Sequence, residues 1–216
     1  MIILLSPSKT MNNSFTGILN LTKPLLITST KKLLKEYQKL SKEDLIQKMK
    51  ISKKIASNTY NQFQKISFPH TPENALPALF CFKGDVYKFI EPETYTKDQM
   101  RFAQKHLRIL SGFYGILKPL DLIQEYRLEM ALVKKFWKGK IVIEEKIILN
   151  LASEEYFSTI NSTDKRVIRV EFLEKREKEH KNITIYTKYA RGSMANWIIK
   201  NKITDLEKLK RFKEER

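Results

Sequence analysis

The stretch from Lys97 to Met130 holds the residues best suited to grip an anion, a basic helical face followed by two nearby glycines. Thr96 and Gln99 have the spacing of a helix-starting capping box, and Met100, Ala103, Leu107 and Leu110 recur at helical intervals as an apolar face. Arg101, Lys105 and Arg108 fall on a different face. Gly112 stands where a helix would end in a left-handed residue, and Gly115 follows before Pro119, so the backbone is expected to turn sharply between two helical segments. Amides exposed in such a turn, with cations beside them, suit phosphate.

Three other places carry the same chemistry. The loop Ser6-Pro7-Ser8-Lys9-Thr10 can receive a phosphate or carboxylate, although it is not a glycine-rich phosphate loop, and a capped turn with one surface lysine accounts for the same residues. In Lys83-Gly84-Asp85-Val86-Tyr87, Gly84 allows close backbone approach, Asp85 either caps the next helix or orients a basic partner, and Tyr87 offers a stacking surface. Ala190-Arg191-Gly192-Ser193-Met194 opens a predicted helix through Ile199. Lys188 and Arg191 stand at its N-terminal side and make a second anion-binding corner.

The spacing contains no evident nucleophile–base pair, convergent carboxylate pair or metal cluster. Asp85, Asp121, Glu125 and Glu129 are the acids nearest the motifs, and Glu125 and Glu129 share a face only if that segment is helical. Ion pairing is the commoner fate of such acids. Cys81 is the single cysteine, which excludes an internal disulfide, and its apolar surroundings favour an inert thiol. His70, His106 and His180 lack metal-ligand spacing. No catalytic residue, metal or cofactor is assigned.

The elements that must hold these residues read as a mixed α/β chain forming a single domain over residues 1–216. Ile2 to Leu5 is a buried strand. Lys23 to Lys65, with eleven lysines against three acids, is two or three amphipathic helices divided by a cap at Ser41. Strands are expected at Ala78 to Phe82 and Ile147 to Leu151, with a helix starting at Ser153. Arg166 to Leu173 and Ile183 to Tyr189 alternate like strands and are expected to pair antiparallel across the charged EKREKEHK segment. The end from Lys200 to Arg216 reads as a short helix or frayed tail.

Composition sets the partner class. The net charge of +17 favours nucleic acid, an anionic membrane or another acidic partner. Of the 41 basic residues, 32 are Lys and nine Arg in a chain rich in Ile and Asn, so the lysine excess reads equally as codon bias on solvated faces or as a binding surface. The placement of Arg101, Arg108, Arg127 and Arg191 near the motifs is the more telling signal. No apolar run approaches a membrane span and MIILLSPSKT lacks a secretion leader, so the expected compartment is the cytoplasm.

MIILLSPSKT, CFKGDVY at 81–87, AQKHLRILSGFYGILKPLDLIQEYRLEM at 103–130, NLASEEYF at 150–157 and the K-x-A-R-G-x-M pattern at 188–194 resemble the YaaA peroxide-stress family, in order and over nearly the whole chain. The resemblance implies a cytoplasmic bacterial protein that limits oxidative damage to DNA and protein by keeping unincorporated iron low. It also implies a cantaloupe-type mixed α/β fold with a helix-hairpin-helix element, placed within residues 97–130, a positively charged cleft, and DNA as partner. Carried over by motif, Gly112 and Gly115 offer amides to phosphate, with Arg108, Lys118 and Arg127 beside them, and Lys9, Lys83, Lys188 and Arg191 belong to the cleft wall. The segment Phe136 to Lys146 is shorter than is usual in the family, the sequence ends soon after Phe212, and Phe113 and Tyr114 put two residues between the glycines rather than one.

The function expected is therefore weakly sequence-specific binding of duplex or distorted DNA through its phosphates, with no membrane and no obligate protein partner. The alternative is an enzyme acting on a nucleotide or DNA base in the cleft between the SPSKT loop and Arg191, with Asp85 or Glu129 as acid-base groups. Direct iron binding by carboxylates has no support in the spacing.

Overall fold

The computed structural model describes the chain except residues 13, 15, 16, 18, 19, 177, 178 and 214–216. Strand β1 (Ile2–Leu5) is buried on both faces, as four consecutive apolar residues require. A two-residue strand β2 (Thr10–Met11) leads towards helices α1 (Ile27–Gln38), α2 (Lys42–Met49) and α3 (Lys53–Lys65). Ser41 caps α2 through a reciprocal capping box with Asp44, which is why the basic segment divides there. Short elements follow: β3 (Leu76–Pro77), α4 (Ala78–Cys81) and β4 (Phe82–Lys83). Helix α5 (Lys97–His106) starts on the Thr96–Gln99 capping box and runs directly into β5 (Leu107–Ser111), which turns back as β6 (Gly115–Leu117).

After β7 (Leu122–Ile123) come α6 (Met130–Trp137), β8 (Ile147–Asn150), α7 (Glu154–Phe157) and β9 (Arg166–Arg169). The hairpin strands β10 (Glu174–Arg176) and β11 (Glu179–Lys181) precede the long helix α8 (Thr184–Lys200) and the short α9 (Leu206–Leu209).

The main sheet has the order β6-β5-β1-β8-β9. β1 lies at its centre with parallel partners on both sides, Ile3 opposite Leu107 and Leu4 opposite Asn150. β6 closes one edge antiparallel and β9 the other edge parallel. From β1 the chain reaches β5 on one side, and after β6 it crosses to β8 on the other. The carboxyl ends of β1 and β8 therefore flank a topological switch point, the place where open α/β sheets leave a crevice for ligands. One contiguous apolar cluster, with Trp137, Tyr114, Phe63 and Phe113 among its largest buried members, supports the sheet.

The mixed α/β class is as expected, but several elements differ. Residues 97–129 contain a single helix, α5, and the apolar face expected to continue through Leu107 and Leu110 is a buried strand instead. Gly112 thus sits in the turn between β5 and β6 and Gly115 opens β6, so the pair belongs to a β-hairpin, not to a helix-hairpin-helix. Ala78 to Cys81 is one helical turn in place of a strand. Ile183 to Tyr189, expected to pair with Arg166 to Leu173, belongs mostly to α8, while β9 pairs with β8. Glu125 and Glu129 lie outside regular structure and share no helical face. Part of the EKREKEHK segment lies outside the described residues.

A helix-turn-helix hairpin does occur elsewhere. α2 and α3 pack against each other across Lys50, Ile51 and Ser52, and Lys50 adopts the left-handed conformation, φ 52° and ψ 50°. Ser52 caps α3, whose first turn carries Lys53 and Lys54 and no acid.

Candidate functional site

A cleft of about 720 Å³ opens at the carboxyl ends of β1 and β8. Ser6 to Thr10 enter it from β1, and Leu151 and Ser153 from β8. The two loops are tied together: the Ser153 amide donates to Ser6 Oγ at 2.8 Å, and the Tyr87 hydroxyl donates to the Ser6 carbonyl at 2.8 Å. Ser8 Oγ donates to the Lys83 carbonyl and accepts from the Thr10 amide at 3.1 Å, which anchors the SPSKT loop to the KGDVY segment. Gly84 faces Ser8, so the close approach expected there is present. Tyr87 is buried against Phe82 rather than open for stacking on a ligand.

Lys9, Lys83, Lys88, Arg127, Lys188 and Arg191 all line the cleft. Two ion clusters organise most of them. Glu129 Oε1 lies 3.1 Å from Lys9 and 3.3 Å from Arg127. Asp85 lies 3.0 Å from Lys88 and 3.6 Å from Lys188, and the hydrogen bond from Lys88 holds its carboxyl below the usual range. Among the described residues no carboxylate pairs with Lys83 or Arg191. Arg191 is half-buried, and burial alone pushes its pKa down. A partly desolvated cation without a counter-charge is poised for an anionic ligand.

Lys188 and Arg191 reach the cleft from the interior of α8, not from its N-terminus. Gly192 is mid-helix as well. A Cβ there would lie 1.9 Å from the Val86 carbonyl oxygen, so only glycine lets α8 seat this close to the KGDVY segment. The helix axis thus sets where Arg191 meets the cleft.

The structure separates the remaining expected contacts from this group. Gly112 and Gly115 are buried: the Gly112 carbonyl accepts from Trp137 Nε1 at 2.8 Å, and Gly115, at φ 76°, packs against Leu26 and Trp137. Their role is close packing, and they offer no amide to a surface phosphate. Arg108 donates from Nη1 to the carbonyls of Leu107 at 2.7 Å and Gln104 at 3.1 Å, and burial lowers its pKa. Lys118 is exposed, away from the cleft lining. Of the five residues expected at the glycine turn, Arg127 alone joins the cleft.

Cys81 is buried, and burial pushes its thiol up to about 12, so the thiolate needed for rapid oxidation is scarce. His70 is buried too, its Nε2 3.0 Å from the Tyr114 hydroxyl and its Nδ1 3.0 Å from the Ser67 carbonyl oxygen. Among the described residues no group of His, Cys, Asp and Glu is arranged to hold a metal ion. No helix among them is long and apolar enough to cross a membrane.

Fold and cleft together define a class, α/β proteins with a basic crevice at the carboxyl ends of their parallel strands. Within it, residues 1–216 match the family model described as peroxide stress protein YaaA, and the chain belongs to that family. It is similar to a UPF0246 protein of Acaryochloris marina, 40% identical over 233 residues that cover 100% of this chain and 92% of the relative. A UPF0246 protein of Alteromonas mediterranea is 37% identical, covering 98% and 90%.

Proposed function

We propose that this protein binds DNA phosphates in the cleft as a cytoplasmic component of the response to hydrogen peroxide. The observation that carries the reading is Arg191, a half-buried cation that lines a switch-point crevice together with Lys83, neither of them with a carboxylate partner among the described residues. Lys9, Arg127 and Lys188 widen the positive field but are partly neutralised by Glu129 and Asp85. The α2–α3 hairpin supplies a second contact in this proposal. Lys53 and Lys54 at the start of a helix oppose its dipole, and a phosphate there relieves both. Phosphate contacts carry no base information, so sequence preference is weak. The lowering of unincorporated iron that the resemblance implies belongs to the same proposal, and among the described residues no group of His, Cys, Asp and Glu is arranged to hold a metal ion.

A salt titration of duplex binding tests the reading. Replacing Lys83 and Arg191 with Gln is expected to weaken binding and to flatten the log–log salt slope by roughly one unit per lost contact. Replacing Arg108 and Lys118 is expected to leave the slope nearly unchanged. The reverse pattern, in folded variants, would move the site back to the glycine turn.

A second reading, an enzyme acting on a nucleotide or DNA base, is favoured by the presence of Asp85 and Glu129 in the same cleft. Mass spectrometry of nucleotides and damaged-base duplexes after incubation decides it, since turnover abolished by Asp85→Asn is what that reading requires.

A further inference from the structure

The cleft is smaller than duplex DNA. Its volume equals that of a cube about 9 Å on edge, within the range of small-molecule sites. A duplex has a major groove alone about 12 Å wide. It can lay phosphates across the rim, but the interior matches a single nucleotide.

The lining is also unsuited to phosphate alone. Glu129, Asp85 and Glu155 all face a ligand whose oxygens they would repel. Asp85 is matched by Lys88 and Lys188. Glu129 is not fully matched: Oε1 serves both Lys9 and Arg127, while Oε2 is buried without a hydrogen-bond partner, as is Arg127 Nε. An unmatched acceptor and an unmatched donor, held on two neighbouring cleft-lining side chains, carry a free-energy cost that a ligand edge removes once a small rotation of the two side chains turns them into the cleft. A nucleobase edge has that character, with N–H donors beside carbonyl or ring-nitrogen acceptors. Tyr126, Tyr156, Leu128 and Leu151 line the cleft and, although buried like Tyr87, give it an aromatic and apolar boundary against which a base edge can rest.

We propose that the cleft seats one nucleoside monophosphate unit, its phosphate on Arg191 and Lys83 and its base against the tyrosine-lined wall, with Glu129 accepting a base N–H. The unit arrives either as a free nucleotide or extruded from DNA. This rests on the reading of Arg191 and Lys83 as phosphate contacts.

Two titrations of the wild-type protein test it. Calorimetry compares the common nucleoside monophosphates with ribose 5-phosphate, and fluorescence compares a duplex bearing 2-aminopurine in a one-nucleotide bulge with the same base fully paired. A nucleotide that binds ten-fold or more tightly than ribose 5-phosphate assigns the free source. A fluorescence change confined to the bulged base assigns the extruded one, and either result supports the pocket. Equal binding of nucleotide and sugar phosphate, together with unchanged fluorescence, overturns it. Glu129→Gln is expected to remove the preference for the base; a preference retained in that variant would overturn the role of Glu129. Arg191→Gln separates the two levels of the argument. If it flattens the duplex salt slope while both base titrations fail, the phosphate site stands and the base pocket falls; an unchanged slope removes the phosphate site itself.

Discussion

At the scale of single residues, the glycine turn shows packing where the motif suggested binding, and His70 is a buried group whose titration reports on the fold. Gly115 has φ 76°, and a Cβ would meet Leu26 Cδ1 and the Trp137 ring at 2.9 Å. Gly115→Ala is therefore expected to cost roughly 2–4 kcal/mol, from left-handed strain and overpacking together. Thermal denaturation measures the loss, and DNA binding of the remaining folded protein should keep its salt slope. A stable variant with a flattened slope would restore the turn as a phosphate contact. His70 makes a different kind of statement. Burial lowers its pKa to about 4 from an unfolded value near 6.5, so the unfolded chain takes up the proton first as pH falls. Its contribution, about 3 kcal/mol on that shift, is complete above about pH 6.5 and disappears as pH drops towards 4. Burial lowers the pKa of His106 as well, so the difference between wild type and His70→Gln isolates the His70 part. Urea unfolding across pH 4 to 7 should be flatter in the variant; parallel curves would mean that His70 titrates alike in the native and unfolded protein.

At the scale of elements, the decisive feature is how α8 is seated. Gly192 abuts the Val86 carbonyl, and α8 carries Lys188 and Arg191 into the cleft one turn apart. Gly192→Ala must push the helix away, so it is expected to destabilise the fold by at least about 2 kcal/mol and to weaken DNA binding more than its position outside the lining suggests. Normal affinity in a folded Gly192→Ala protein would show that the helix position does not set the site. The sequence made some of this legible and hid the rest for physical reasons. Caps are local, so Thr96–Gln99 and Ser41 marked true helix starts. Leu107 and Leu110 continued the helical spacing of Met100 and Ala103, yet a strand buried between β1 and β6 is apolar throughout and fits either period. Ala78 to Cys81 was too short an apolar run to distinguish. The alternation in Ile183 to Tyr189 favoured a strand, and the packing of α8 overrode that propensity. The cleft residues Lys9, Lys83, Lys188 and Arg191 were visible as motifs. Their convergence, and the separation of Arg108 and Lys118 from them, depend on long-range strand order that local spacing does not encode.

At the scale of the whole molecule, the question is whether a net charge of +17 acts as a field or through sites. A diffuse field draws DNA to any basic face and treats exposed lysines alike, whereas sites give unequal weight to cations that desolvate against phosphate. Helix α1 provides the control. Lys32, Lys35 and its C-terminal neighbour Lys39 are exposed and outside the cleft lining. Lys50, Lys53 and Lys54 carry similar exposed charge but stand at the left-handed turn and first turn of the α2–α3 hairpin, where backbone amides point outward. Replacing each trio with Gln removes the same charge, so long-range attraction falls equally in both. The α1 trio is expected to change the log–log salt slope by less than about one unit in total, and the hairpin trio by roughly one unit for each lysine that touches phosphate. Equal losses for the two trios and for the Lys83–Arg191 pair, counted per charge, would mean that DNA is held by the overall charge alone. Unequal losses would assign binding to the hairpin and the cleft, and leave most of the lysine excess as solvated surface.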